Sequence, residues 1–168
     1  MCRSMLTRSW LRSLALTIVV GLALGTPAQV AADSAQTVLS VVNSARAKAG
    51  CAPLRLNQKL MAAAQTHARN MAEKDFFGHK GKDGSRFSSR IKRQGYTYRA
   101  AAENIAAGQA SARQVAQDWL SSPGHRRNIL NCTLKDTGIA VAYQPDDQPM
   151  QGNGRPFQYY WVQVFASP

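Results

Sequence analysis

The chain has 168 residues, 45% hydrophobic and 18% charged, with 21 Lys and Arg against nine Asp and Glu for a net charge of +12. That length and apolar content exclude a disordered or low-complexity chain and suit one domain with its own core. The charge permits attraction to anionic walls, membrane lipids or nucleic acid. However, Lys80, Lys82, Arg86, Arg90, Lys92 and Arg93 lack the interleaved aromatics of a strand-stacking surface, so they read as a solvated basic face and nucleic acid is not an expected partner.

At the N-terminus, Arg3, Arg8 and Arg12 precede an apolar run at 14–25 that ends near small residues, the pattern of a secretory signal peptide. The run is too short for a comfortable membrane span. Val30 and Ala32 fit the small positions that a signal peptidase reads, so cleavage is expected after Ala32, with Ala28 as the alternative. Residues 1–32 are then a leader and 33–168 a single exported domain, and loss of the three arginines lowers the charge from +12 to +9. Cys2 leaves with the leader. The two remaining cysteines, Cys51 and Cys132, are expected to form a disulfide, since the exported chain meets an oxidising compartment.

Apolar residues at helical spacing (Val38, Val41, Val42, Ala45) predict a helix over 37–49, stopped by Gly50. Asn57 is a good N-cap for a second helix to about Lys74, whose inner stripe is Leu60, Ala63, Ala64, His67, Ala68 and Met71. His67 on that stripe reads as a hydrogen-bonded core histidine. The segment 75–87 is a glycine-rich charged loop, and "RFSSRIKRQGY" is a short helix ended by Gly95. "TYRAAAENIAAG" carries no assigned element. Ser111 caps a helix with Ala112, Val115, Ala116 and Trp119 facing inward, and Ser122 with Pro123 starts another. "GIAVAY" (138–143) and "YYWVQVF" (159–165) have strand character, joined by a long hairpin loop. The layout is α+β, with helices packed on a small antiparallel sheet.

Three polar residues interrupt apolar surroundings: His79 beside Phe76 and Phe77, Glu103 within "AAAENIAAG", and His125 at the helix corner of "WLSSPGHRRNILN". They lie too far apart in sequence to form a local metal motif, so only the fold can bring them together. Asp118 precedes Trp119 and reads as a surface residue pointing elsewhere. No GxSxG elbow accompanies Ser121, Ser122 and His125, which weakens a serine-hydrolase reading.

The motifs "RAKAGC", "FFGHKGKDG", "AAENIAAGQ", "WLSSPGHRRNILN", "GIAVAY" and "WVQVFA" occur in the order seen in the bacterial branch of the CAP superfamily (cysteine-rich secretory proteins, antigen 5 and pathogenesis-related proteins). The resemblance covers about residues 37–166. It implies a three-layer α-β-α sandwich, secretion, and a central cleft holding two histidines and two acidic residues, which in some members binds a divalent metal such as zinc. By that resemblance His79 and Glu103 match cleft residues and His125 substitutes for the second histidine. Ser122 stands where relatives carry the second glutamate, and Tyr160 where they carry a histidine at the head of the last strand. Asn43 and Arg46 resemble a first-helix signature, a hydrogen-bond and salt-bridge pair under the cleft.

The expectation is a secreted monomer whose cleft takes a small-molecule, lipid or peptide ligand, or Zn2+ or another divalent cation on His79, His125 and Glu103. A two-histidine, one-carboxylate set with an open position suits zinc. The alternatives are a metal-assisted hydrolase of peptide or cell-wall material, with a lowered-pKa water and Glu103 as base, and a basic protein adhering to an anionic cell-wall or membrane surface.

Overall fold

A computed structural model of the chain describes residues 27–150 and 154–168. The leader's arginines and apolar run lie outside the described residues. The elements are α1 (Pro27–Lys48), β1 (Arg55–Leu56), α2 (Gln58–Glu73), α3 (Phe87–Arg93), β2 (Ala100–Ala107), α4 (Ala112–Ser121), α5 (Pro123–Ile129), β3 (Asp136–Tyr143) and β4 (Tyr159–Ser167). The strands form one sheet in the order β1-β3-β4-β2.

The expected hairpin of β3 and β4 is present and antiparallel, but the sheet is mixed rather than purely antiparallel. β1 pairs with β3 in parallel, Arg55 against Asp136 and Leu56 against Thr137. β2, unassigned from sequence because alanine is a poor strand former, is held by antiparallel pairing with β4 along its whole length, from Ala100 against Ser167 to Ala107 against Tyr160. Tertiary pairing overrides local preference there.

Successive residues of β4 alternate between the two faces of the sheet. Tyr160, Val162, Val164 and Ala166 pack with Leu60, Ala63, Ala64, Ala68 and Met71 of α2 and with Ile91 of α3. Trp161 and Phe165 pack on the other face with Val38 and Val42 of α1, Val115 and Trp119 of α4, and Ile129 of α5. The result is a three-layer α-β-α sandwich. The small inner residues of α2 let its backbone press directly on β3. A methyl at Gly138 would collide with the Leu60 carbonyl and the Met61 amide, so only glycine fits that contact.

The helix starts follow the capping chemistry in part. The Asn57 side chain accepts from the Lys59 and Leu60 amides, and Ser111 accepts from Gln114. Ser122 occupies the N-cap of α5 without a side-chain bond, so Pro123 at the first turn is what starts that helix. Cys51, just past α1, and Cys132, just past α5, form the expected disulfide. Arg46 sits beside it, fully buried, donating to the carbonyls of Ala52, Ile129, Asn131 and Leu134 at 2.7–3.0 Å. Asn43 makes a two-way bond with the Leu54 backbone, at 3.0 and 2.8 Å. Arg46 and Asn43 thus bond backbone at the disulfide end of the fold, and no carboxylate pairs with Arg46 among the described residues, in place of the salt bridge expected under the cleft.

Candidate functional site

β2 is an edge strand, and its neighbours Glu103 and Asn104 point to opposite faces. Each reaches an element that carries a histidine. On the α2 and α3 face, Glu103 Oε1 accepts from His79 Nδ1 at 2.9 Å and Oε2 accepts from Arg90 Nη2 at 2.8 Å. Arg90 Nη2 also donates to the His79 carbonyl at 3.0 Å, and Arg90 Nη1 to the Ser85 carbonyl at 3.1 Å. The Arg90 and Glu103 side chains are both buried, so each requires the other's charge. An ionised Glu103 fixes the His79 tautomer: Nδ1 carries the proton, and Nε2 is the acceptor nitrogen on a ring whose side chain is 56% exposed.

His67 completes the clamp. Its Nε2 donates to the Gly78 carbonyl at 2.9 Å, so the residue before His79 is tied to α2. Its Nδ1 is buried with no hydrogen-bond partner. Burial lowers the His67 pKa, and Arg90 and His79 lower it further against the opposing pull of Glu103.

On the other face, Asn104 Nδ2 donates to the His125 carbonyl at 3.2 Å, and Asn128 Nδ2 donates to Asn104 Oδ1 at 2.8 Å and to the Glu103 carbonyl at 3.3 Å. This amide pair holds α5 against β2 and sets where His125 sits. Burial and the nearby His79 lower the His125 pKa.

Both histidines line one cavity of about 520 Å3, whose wall includes Phe77, Gly78, Ile105, Ala106, Trp119, Ser122 and Phe157. That volume is in the range of small-molecule sites. Phe77 is 44% exposed, and its ring lies 5.8 Å from that of Phe157. Trp119 Nε1 donates to the Ile105 carbonyl at 3.3 Å, and Trp161 Nε1 to the Gln109 carbonyl at 2.8 Å, fixing the wall below.

The structure therefore joins His79 to Glu103 directly and brings His125 to the same cavity as His79. Glu103 does not line that cavity, and both its oxygens are engaged from behind. Among the described residues no three His, Cys, Asp or Glu side chains are gathered so as to hold a metal ion. The donor set does not fit the three-ligand zinc site expected from the sequence, because Glu103 faces Arg90 and His79 from behind the wall rather than the cavity.

Two expectations about other side chains change. Arg90, placed on the solvated basic face, is buried; its position three residues after Phe87 and next to Ile91 on a short helix is the signal that points it inward. Asp118 is exposed as expected, but it lies on the cavity wall, where its Oδ2 accepts from Gln109 Nε2 at 3.0 Å. Ser122 also lines the cavity, whereas Tyr160 turns away to donate to the buried Asp147 carboxylate at 3.0 Å. Burial and that carboxylate raise the Tyr160 pKa. Asn104, Asn128 and the Phe77–Phe157 pair had no local sequence signal, because their partners come from distant elements.

The family model described as the cysteine-rich secretory protein family matches residues 39–165. The Bacillus subtilis protein YkwD is 36% identical over 103 residues, which is 61% of this chain and 40% of that protein, so the chain spans well under half of that relative. An extracellular SCP-domain protein from Bacillus anthracis superposes with a TM-score of 0.72 at 23% identity, covering 87% of this chain and 45% of that one. NaASP2, solved with Zn2+, superposes with a TM-score of 0.53 at 14% identity, covering 84% of this chain and 83% of its own. With its three layers, its disulfide and a match to the family model that runs through both histidines, the chain belongs to the CAP family.

Proposed function

We propose that this chain is an exported binding domain whose cleft takes a small molecule with an apolar body, anchored at its polar end by His79 and His125. The carrying observation is the solvent-exposed Phe77 against Phe157 on the wall of a cavity of about 520 Å3 into which both histidines open. An exposed aromatic beside convergent polar groups is how a small-molecule site is recognised. The layers behind the histidines support binding, since Glu103, Arg90 and His67 hold His79 while Asn104 and Asn128 hold the helix of His125, and preorganised groups lose less entropy on engaging a ligand. Export is supported by the arginine-led apolar N-terminus and by the Cys51–Cys132 disulfide.

Titration with the neutral fluorophore N-phenyl-1-naphthylamine tests the reading. Saturable one-to-one binding is expected, weakened about tenfold or more in Phe157→Ala, a loss of the size expected for removing one well-packed aromatic contact. Absence of saturable binding, or binding indifferent to Phe157→Ala and His125→Ala, overturns it. A zinc titration alongside gives the metal reading its own test: stoichiometric uptake lost in both His79→Gln and Glu103→Gln would restore the three-ligand site.

A further inference from the structure

Arg90 lies behind Glu103, its charge matched by that carboxylate, and among the described residues no lysine or arginine lines the cleft, although the net charge of the chain is +12. Apart from the two histidines, the one formal charge on the lining among the described residues is the Asp118 carboxylate. It has no cationic partner among the described residues: their ion pairs are Arg55 with Asp136, His79 and Arg90 with Glu103, and Arg93 with Asp83. Asp118 Oδ2 takes one hydrogen bond from Gln109, which leaves Oδ1 as an unengaged acceptor.

The other polar groups lean the same way. Glu103 accepts the Nδ1–H of His79, so in the tautomer that this bond selects Nε2 is the acceptor nitrogen on the cleft side. Burial and the neighbouring His79 push His125 toward its uncharged form, which keeps one acceptor nitrogen. On the apolar side stand the rings of Phe77 and Phe157, whose faces attract cations.

We infer that the cleft selects an organic ammonium ion, with its apolar body against Phe77 and Phe157 and its N–H groups on Asp118 and the histidine nitrogens. This rests on the cleft reading above and assigns its ligand class. An anionic ligand would meet a carboxylate that has no cationic partner among the described residues, beside two rings that turn acceptor nitrogens to the cleft.

Calorimetric titration with three probes of similar shape tests the charge preference: 2-phenylethylammonium, 3-phenylpropan-1-ol and 3-phenylpropionate. The ammonium is expected to bind about tenfold more tightly than the carboxylate, a ratio of the size that one carboxylate contact and an aromatic face provide together. Asp118→Asn should collapse that ratio and Asp118→Glu should keep most of it. Asp83→Asn, which changes the net charge equally on an exposed loop outside the cleft, should leave it intact; a collapse there too would make the preference one of overall charge and overturn the inference. Equal binding of the three probes, or a preference that survives Asp118→Asn, overturns the ammonium assignment and leaves the cleft reading standing. No ammonium binding also overturns it, and the fluorophore titration then shows whether the cleft reading falls with it.

Discussion

Among the described residues two arginines are buried, Arg46 on α1 and Arg90 on α3, helices that pack on opposite faces of the sheet, and they do different work. Arg46 donates only to backbone carbonyls, those of Ala52, Ile129, Asn131 and Leu134, and its neighbour is the Cys51–Cys132 disulfide. Arg90 donates to two carbonyls as well, but its guanidinium is also paired with Glu103, which in turn holds His79. A buried cation satisfied by carbonyls alone fastens chain to chain. One paired with a carboxylate that continues to a half-exposed histidine sets the state of a group that faces solvent. The difference separates a region built for stability from a region built to present a side chain.

Breaking the disulfide end should have the largest effect on stability and the smallest on the cleft. Cys51 and Cys132 are 81 positions apart, and opening a loop of that length costs about 4 to 5 kcal/mol in the chain-entropy model. The paired Cys51→Ser, Cys132→Ser protein should therefore unfold at markedly lower urea while, at low denaturant, its histidine ring resonances stay at their native positions. A rearranged His79 resonance in that protein would mean that the two ends are not separable.

Breaking the cleft end should reverse the pattern. Arg90→Met leaves Glu103 buried without its cation, a change that typically costs about 3 to 5 kcal/mol and favours the protonated carboxyl. A protonated Glu103 no longer dictates which nitrogen of His79 carries the proton, so nitrogen-15 shifts of the His79 ring should move in a protein that keeps its disulfide. The double variant Arg90→Met, Glu103→Leu removes both charges and should recover much of the lost stability without restoring the His79 tautomer. A His79 ring unaffected by Arg90→Met would show that the ion pair serves the fold alone.

The same division explains what was legible in the sequence. Helices with a repeating apolar stripe, the capped start at Asn57 and the β-branched strands of the hairpin are local patterns, and the structure shows them near the expected positions, except that α1 begins at Pro27 rather than at Thr37. The disulfide follows from having two cysteines outside the expected leader in a chain read as exported. β2 was hidden because its alanines adopt a strand only through pairing with β4, and β1 because two residues carry no period. At the cleft, His79, Glu103 and His125 stood out by interrupting apolar surroundings, and family resemblance rather than spacing grouped them. What that resemblance did not convey was the division of labour, with Glu103 behind the wall and Asp118 on it. Both facts depend on which face of an edge strand and which side of α4 meet the cavity, and a one-dimensional pattern does not carry that.

The smallest effect is the most specific to the cleft end. His67 has its pKa lowered chiefly by burial, so the folded state favours the neutral ring while an unfolded histidine titrates at its ordinary 6.5. The unfolded chain then binds more protons as pH falls through that value, and stability is complete above about pH 6.5 and lost progressively below it, down to the folded pKa. His125 is lowered as well and adds to the same slope. A proton on His67 would go to Nδ1, which is buried with no hydrogen-bond partner, where burial, Arg90 and His79 oppose a further positive charge and outweigh Glu103 and the Gly78 carbonyl, which favour it. His67→Gln can still donate to the Gly78 carbonyl but cannot titrate. Urea midpoints measured from pH 7.5 to 5 should therefore fall less steeply for His67→Gln than for the wild type, the difference cancelling the carboxylates common to both. Identical slopes would mean that His67 titrates alike in the folded and unfolded chain and that another group carries the acid sensitivity, so burial at the tie from α2 to the His79 loop would not favour the neutral ring.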